Sequence, residues 1–156
     1  MEPFEIEDGQ RKRVLALDVG MRRIGLAISD PLGITAQGIP TLVRRNLRID
    51  LARLTEIARD KQVCRIIVGY PLHMSGHEGR QAAIVKEFAG RLAERSGLPV
   101  QLWDERLTTV QAGRILRQGG ASLEKRAKAV DKLSAVLILQ SYLDTVPGAN
   151  EWLGAE

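Results

Sequence analysis

The chain has a single cysteine in 156 residues, so no internal disulfide can staple it. Cys64 follows Val63 and leads into an apolar run, which reads as a small buried hydrophobe rather than a reactive thiol. Two histidines, His73 and His77, offer no zinc set without further ligands. Aromatic residues make up 4% of the chain, leaving little surface for stacking unpaired bases. Long apolar runs are also missing. The longest unbroken run of Ala, Val, Ile and Leu is Ala135–Leu139, against the roughly 20 residues that span a bilayer. The opening MEPFEIEDGQ is acidic and carries no apolar signal core. These absences lead to the expectation of a soluble, cytoplasmic protein without a membrane partner.

What is present supports one domain. At 156 residues and 44% hydrophobic content, the chain can bury a sizeable core. Residues 1–12 are expected to form a flexible leader, 13–145 the domain, and 146–156 a flexible tail. The formal charge is +4, and its location is informative. Between Gly113 and Lys132 lie six basic residues, Arg114, Arg117, Lys125, Arg126, Lys128 and Lys132, against Glu124 and Asp131. The rest of the chain is neutral, so the whole surplus sits in one stretch that could grip a phosphate backbone.

Apolar patterning predicts strands at Val14–Val19 and Ile24–Ser29, too close together for a helical crossover. A third strand is expected within Thr35–Val43, made irregular by Gly38 and Pro40. Leu47, Leu51, Leu54 and Ala58 recur at helical spacing, and Arg65–Val68 reads as a buried strand. Val85, Phe88, Ala89 and Leu92 mark a second helix closed by Gly97 and Pro99, followed by a strand at Val100–Trp103. A short helix is expected after Thr108, then a glycine break at Gln118–Ser122 and a final helix from about Ala127 to Asp144. Together these predict an α/β fold: a mixed five-stranded sheet, three antiparallel strands then parallel β-α units, with helices on both faces.

Four carboxylates stand out. Asp18 ends an apolar strand, Asp104 and Glu105 close the fifth, and Asp131 enters the most apolar helix. Such groups are partly desolvated, which is costly without a compensating cation or donors. Drawn to one sheet edge, they would suit Mg²⁺ or Mn²⁺, hard ions that accept oxygen ligands and bind phosphates. Two such ions can activate water and stabilise the leaving oxygen of a phosphodiester. Each acid also has a plainer reading: turn amides of Gly20 and Met21 for Asp18, a helix N-terminal charge for Asp104 or Glu105, an intrahelical pair with Lys128 or Lys132 for Asp131.

The segments DVGMRRIGLAISD (Asp18–Asp30), VGYPLHMSG (Val68–Gly76), DERLTT (Asp104–Thr109) and KAVDKLSAVLILQSYL (Lys128–Leu143) resemble, in order and spacing, the YqgF/RuvX family. The likeness runs from about Val14 to Leu143. One departure is the loop Pro71–Gly76, which reads PLHMSG where relatives commonly read PLNMDG. The resemblance implies an RNase H-like fold and a nuclease that processes the 5′ end of the small-subunit ribosomal RNA precursor, or alternatively resolves Holliday junctions. It implies Asp18, Glu105 and Asp131 as catalytic metal ligands, with Asp104 as a neighbouring structural acid.

Nucleic-acid contacts are expected from Arg22, Arg23, His73 and Arg106 besides the basic stretch. The implied partner is structured RNA or branched DNA, and the chain could act as a monomer or a homodimer. Two rivals remain: a non-catalytic RNA-binding factor on the same fold, and a kinase- or actin-like phosphate binder. For the latter, Met21-Arg22-Arg23 replaces the small hydroxyl residues expected after the first strand.

Overall fold

The computed structural model describes residues 13–108 and 123–145. The leader, the tail, the expected short helix after Thr108, the glycine break, and Arg114 and Arg117 lie outside the described residues.

Among the described residues, five strands and three α-helices follow in the order β1 (Arg13–Val19), β2 (Arg23–Ser29), β3 (Ala36–Val43), α1 (Leu47–Asp60), β4 (Val63–Tyr70), α2 (Arg80–Ser96), β5 (Val100–Asp104) and α3 (Leu123–Thr145), with a one-turn 3₁₀ helix at Glu105–Leu107. The sheet order is β3-β2-β1-β4-β5. β1 to β3 form the antiparallel meander; β4 and β5 add in parallel. The expected mixed sheet is therefore observed. β3, with Gly38 and Pro40, is an edge strand whose pairing slips in register between Ile24 and Leu26 of β2.

Alternation along the strands divides the core into two layers. Leu15, Leu17 and Val19 of β1 join Ile24, Leu26 and Val68 against Leu51, Leu54, Val85 and Phe88 of α1 and α2. The intervening Val14 and Ala16 join Ala27, Ile67 and Trp103 against Ala135, Ile138, Leu139 and Tyr142 of α3. Trp103 meets Tyr142 edge-on at 5.5 Å, and its indole N–H donates to Ser141 Oγ at 3.2 Å.

Helix ends follow local chemistry. Asn46 caps α1 by accepting from the Ile49 amide, and Gly97 ends α2 in the left-handed conformation at φ 72°. α3 begins four residues before the expected Ala127, because Leu123-Glu-Lys-Arg are strong helix formers although not part of the apolar periodicity. β4 likewise extends beyond Arg65–Val68 to Val63–Tyr70. Cys64 is buried within it, as expected, and its Sγ–H donates to the Arg13 carbonyl at 3.2 Å. Among the described residues, no helix is long and apolar enough to cross a membrane.

Candidate active site

Asp18 lies on β1 in phase with Val14 and Ala16, and so belongs to the sheet face that α3 covers. Its cross-strand partner on β2 is Gly25. A Cβ placed on Gly25 would stand 1.9 Å from the Asp131 carbonyl oxygen. Only a bare backbone here lets α3 settle onto β2, and that approach brings Asp131 beside Asp18.

The other flank uses the same device. Gly69 follows Val68, the register partner of Leu17, on β4. A Cβ there would meet Glu105 Oε1 and Ile138 Cδ1, both at 2.6 Å. Glu105 opens the 3₁₀ turn after β5, which directs its carboxylate back over Gly69. Asp18 is thus flanked by two glycines, one vacating room for each of the other acids.

The outcome is a cleft of about 260 Å³ lined by Asp18, Glu105 and Asp131, with Met21, Pro71 and Gln81. The acids are 3%, 4% and 5% exposed, from segments more than 100 residues apart at the extremes. Asp131 accepts from Arg23 Nε at 2.9 Å rather than forming only an intrahelical pair. Gln81 was not anticipated. Its amide donates to the Val19 carbonyl at 3.4 Å, and a glutamine near the start of a helix carries no distinguishing sequence signal.

Asp104 has a different job. Its carboxylate accepts from the Arg106 amide at 2.9 Å and pairs with the Arg106 guanidinium at 2.6 Å. That pairing holds the Asp104 carboxyl below its ordinary range. Arg106 Nη1 also reaches the Met74 carbonyl at 3.4 Å, tying the turn to the loop after β4. Thr108 closes the turn by donating its hydroxyl to the Glu105 carbonyl at 2.9 Å. Asp30, at the far end of β2, accepts from the Ile34 and Thr35 amides and shapes the β2–β3 turn.

The expected nucleic-acid contacts are scattered. Arg22 is exposed on the β1–β2 turn, while Arg23 is directed inward onto Asp131. His73 is exposed and stacks on His77 with centroids 5.4 Å apart, outside the lining of the acid cleft. Tyr70, at the end of β4, donates to Glu78, which raises the tyrosine's pKa. On α3, Lys125 and Lys132 are exposed and Arg126 and Lys128 half-buried; the stem of Lys132 lies over Gly38 of β3.

Among the described residues, no three carboxylate, imidazole or thiolate groups are gathered tightly enough to hold a metal ion as they stand. The donor set nonetheless fits hard divalent ions in kind, being all oxygen, and in place, being three acids on one cleft.

Comparison with known proteins follows the same lines. The family model RuvX, described as Holliday junction resolvase, matches residues 12–145. The chain belongs to the RuvX family. It is 53% identical over 132 residues to a Koribacter versatilis protein named "Putative pre-16S rRNA nuclease", covering 85% of this chain and 86% of that one. A protein of the same name from Symbiobacterium thermophilum is 50% identical, with 85% and 92% covered. Among solved structures, Thermus thermophilus RuvC bound to a Holliday junction aligns with a TM-score of 0.52 at 14% identity, covering 91% of this chain and 96% of that one. That likeness establishes the shared RNase H-like fold of this RuvX chain.

Proposed function

We propose that this RuvX-family chain is an endonuclease that hydrolyses phosphodiester bonds, with the 5′ precursor of small-subunit ribosomal RNA as its substrate. The observation that carries the reading is the convergence of Asp18, Glu105 and Asp131, each nearly inaccessible, on one cleft. Three carboxylates lining one cleft repel one another as they draw together, and divalent cations relieve that repulsion. These acids would hold Mg²⁺ or Mn²⁺, in a pair. When bound, the ions supply an activated water and charge compensation at the leaving oxygen. The chain's own part is to fix the acids on glycine-backed strands, to exclude bulk water from the cleft, and to hold the substrate backbone. Arg22 and Arg106 near the cleft, His73, and Arg114, Arg117, Lys125, Arg126, Lys128 and Lys132 along the basic stretch contribute backbone contacts that position without reading sequence. Arg23 joins them once released from Asp131. The family relationship supports the ribosomal RNA assignment through its named relatives, and a role in ribosomal RNA processing is in keeping with a cytoplasmic protein.

The second reading, cleavage of four-way DNA junctions, is favoured by the description of the matching family. Purified protein incubated with a precursor rRNA fragment and with a four-way DNA junction, each with Mg²⁺, Mn²⁺ or chelator, separates the two. RNA cleavage is expected with either ion, none with chelator, and none for Asp18→Asn, Glu105→Gln or Asp131→Asn proteins that melt as wild type does. Junction cleavage alone would transfer the assignment to DNA. RNA binding without cutting under any ion would make this a non-catalytic RNA-binding factor.

A further inference from the structure

Beside the acid cleft, and sharing Met21 with it, lies a larger open groove of about 960 Å³. It is walled by the β1–β2 turn at Met21–Arg23, the β3–α1 corner at Val43–Leu47, and Ala127 of α3. Four arginines line it: Arg22, Arg23, Arg44 and Arg45.

These arginines are not equivalent. Arg23 is paired with Asp131. Arg44 is locked in place: its Nε meets Asp50 Oδ2 at 3.2 Å, its Nη1 donates to the Gly20 carbonyl at 3.0 Å, and its guanidinium lies 5.3 Å from the centroid of the Phe88 ring. Asp50 is fully buried. Arg22 and Arg45 are exposed, and neither has an ion pair among the described residues.

The two remaining cations are mounted on one frame. The Arg44 amide donates to the Arg22 carbonyl at 2.8 Å, and the Arg45 amide donates to Asp50 Oδ1 at 3.0 Å. Arg44 and Asp50 therefore fix the backbones of both exposed arginines while neutralising each other. Two exposed guanidinium groups carried on a fixed backbone are suited to phosphate oxygens, which they can engage bidentately. The groove far exceeds the size of one phosphate and borders the acid cleft at Met21, so an extended polyanion fits it better than a small one.

We propose that this groove is a backbone-binding channel for the nucleic-acid strand leading to the acid cleft, with Arg22 and Arg45 as its phosphate clamps and Arg44 as the residue that positions them. The inference rests on the nuclease reading above and adds the path of the substrate and a binding role for Arg45.

Binding measured in chelator, where cutting is suppressed, tests it independently of catalysis. The probes are a fluorescent 5′ precursor rRNA hairpin and a four-way DNA junction, titrated at several salt concentrations. The Arg22→Ala/Arg45→Ala protein should lose about 1.8 from the slope of log affinity against log salt on duplex DNA, and about 1.4 to 1.8 on RNA. At 0.1 M salt, that is a loss of roughly sixtyfold on duplex DNA and about 25- to 60-fold on RNA. Arg59→Ala/Arg91→Ala, which removes the same charge from exposed positions on α1 and α2, should keep the wild-type slope. Lysine at both clamp positions should keep the slope with weaker binding. An unchanged slope in the clamp variant, an equal loss in the charge control, or no binding of either probe by wild type would each overturn the channel. The nuclease reading fails separately, if wild type binds with the expected slope but cuts neither probe once ions are restored.

Discussion

Gly25→Ala is a one-methyl change whose consequences follow from a single distance. The added Cβ would lie 1.9 Å from the Asp131 carbonyl oxygen and 2.5 Å from its carbonyl carbon, whereas ordinary contact begins near 3.4 Å. About 1.5 Å must therefore be found, and both partners are backbone. α3 cannot retreat that far without opening gaps where Ala135, Ile138 and Leu139 pack on β1 and β4. Overpacking a core costs about 1–3 kcal/mol, and a backbone–backbone clash belongs near the top of that range. At roughly 2–4 °C per kcal/mol for a domain of this size, the melting temperature should fall by about 6–12 °C. Cleavage should fall further, because about 1 Å of misplacement in a catalytic group costs on the order of a hundredfold. Calorimetry and the cleavage assay read the two effects. Two sister variants make the reasoning specific. At Gly38 the added Cβ meets the Lys132 stem, which can swing aside, and Val136 Cγ2 at an ordinary contact distance of 3.4 Å, so Gly38→Ala should shift stability by less than about 1 kcal/mol in either direction. At Gly69 it meets both the Glu105 carboxylate and the buried Ile138 Cδ1 at 2.6 Å, so Gly69→Ala should lose activity as well as stability. A Gly25→Ala protein that melts and cuts as wild type would refute the account of how the acids are brought together.

Removing Arg23 should change metal binding directly. The Arg23→Gln protein loses a cation 2.9 Å from an Asp131 oxygen, and should bind Mn²⁺ more tightly by on the order of tenfold in a chelator-competition titration; unchanged or weaker binding would separate Asp131 from the ion. The Asp104–Arg106 pair sets a pH dependence. Because the folded protein holds Asp104 below its ordinary pKa, the pair stabilises fully above about pH 4, and that contribution disappears as pH falls through the depressed value. Asp104→Asn should therefore be less stable than wild type at pH 7 and approach it in acid, as followed by urea unfolding at a series of pH values. A gap that stays constant with pH would deny the pair that role.

Sequence patterning located the strands because a buried strand reads as an apolar run, and Asp18 stood out because it breaks one. It could not reveal what the glycines do. Gly25 and Gly69 read as weak points within their strands, and their role comes from α3 and the Glu105 turn, which arrive from far along the chain. Glu105 could not be separated from Asp104 by spacing alone, since the 3₁₀ turn after β5 decides which acid faces inward. Arg23 read as a phosphate contact, yet its nearest acid lies 108 residues away. Arg44 and Arg45 are identical neighbours in sequence. One is tethered to a buried carboxylate and the other is exposed, a difference set by Asp50 in the first turn of α1.

The two cavities carry opposite charge, and their adjacency constrains how substrate and ions must arrive. Three carboxylates line the acid cleft, one of them paired with Arg23, whereas among the described residues Arg22 and Arg45 leave the arginine groove a surplus of two once Arg44 is set against Asp50 and Arg23 against Asp131. A phosphate backbone is drawn to the groove and repelled from the cleft, so binding in the groove alone leaves the scissile bond short of the acids. Divalent ions reverse the sign of the cleft and remove that barrier. A phosphate at the mouth of the cleft lowers the electrostatic cost of holding the ions and offers Arg23 an alternative to Asp131. Ion and nucleic acid therefore favour each other's binding, and the coupling is reciprocal. On the proposed arrangement Arg23 leaves Asp131 as a polyanion fills the groove, which ties ion binding in the cleft to the presence of substrate.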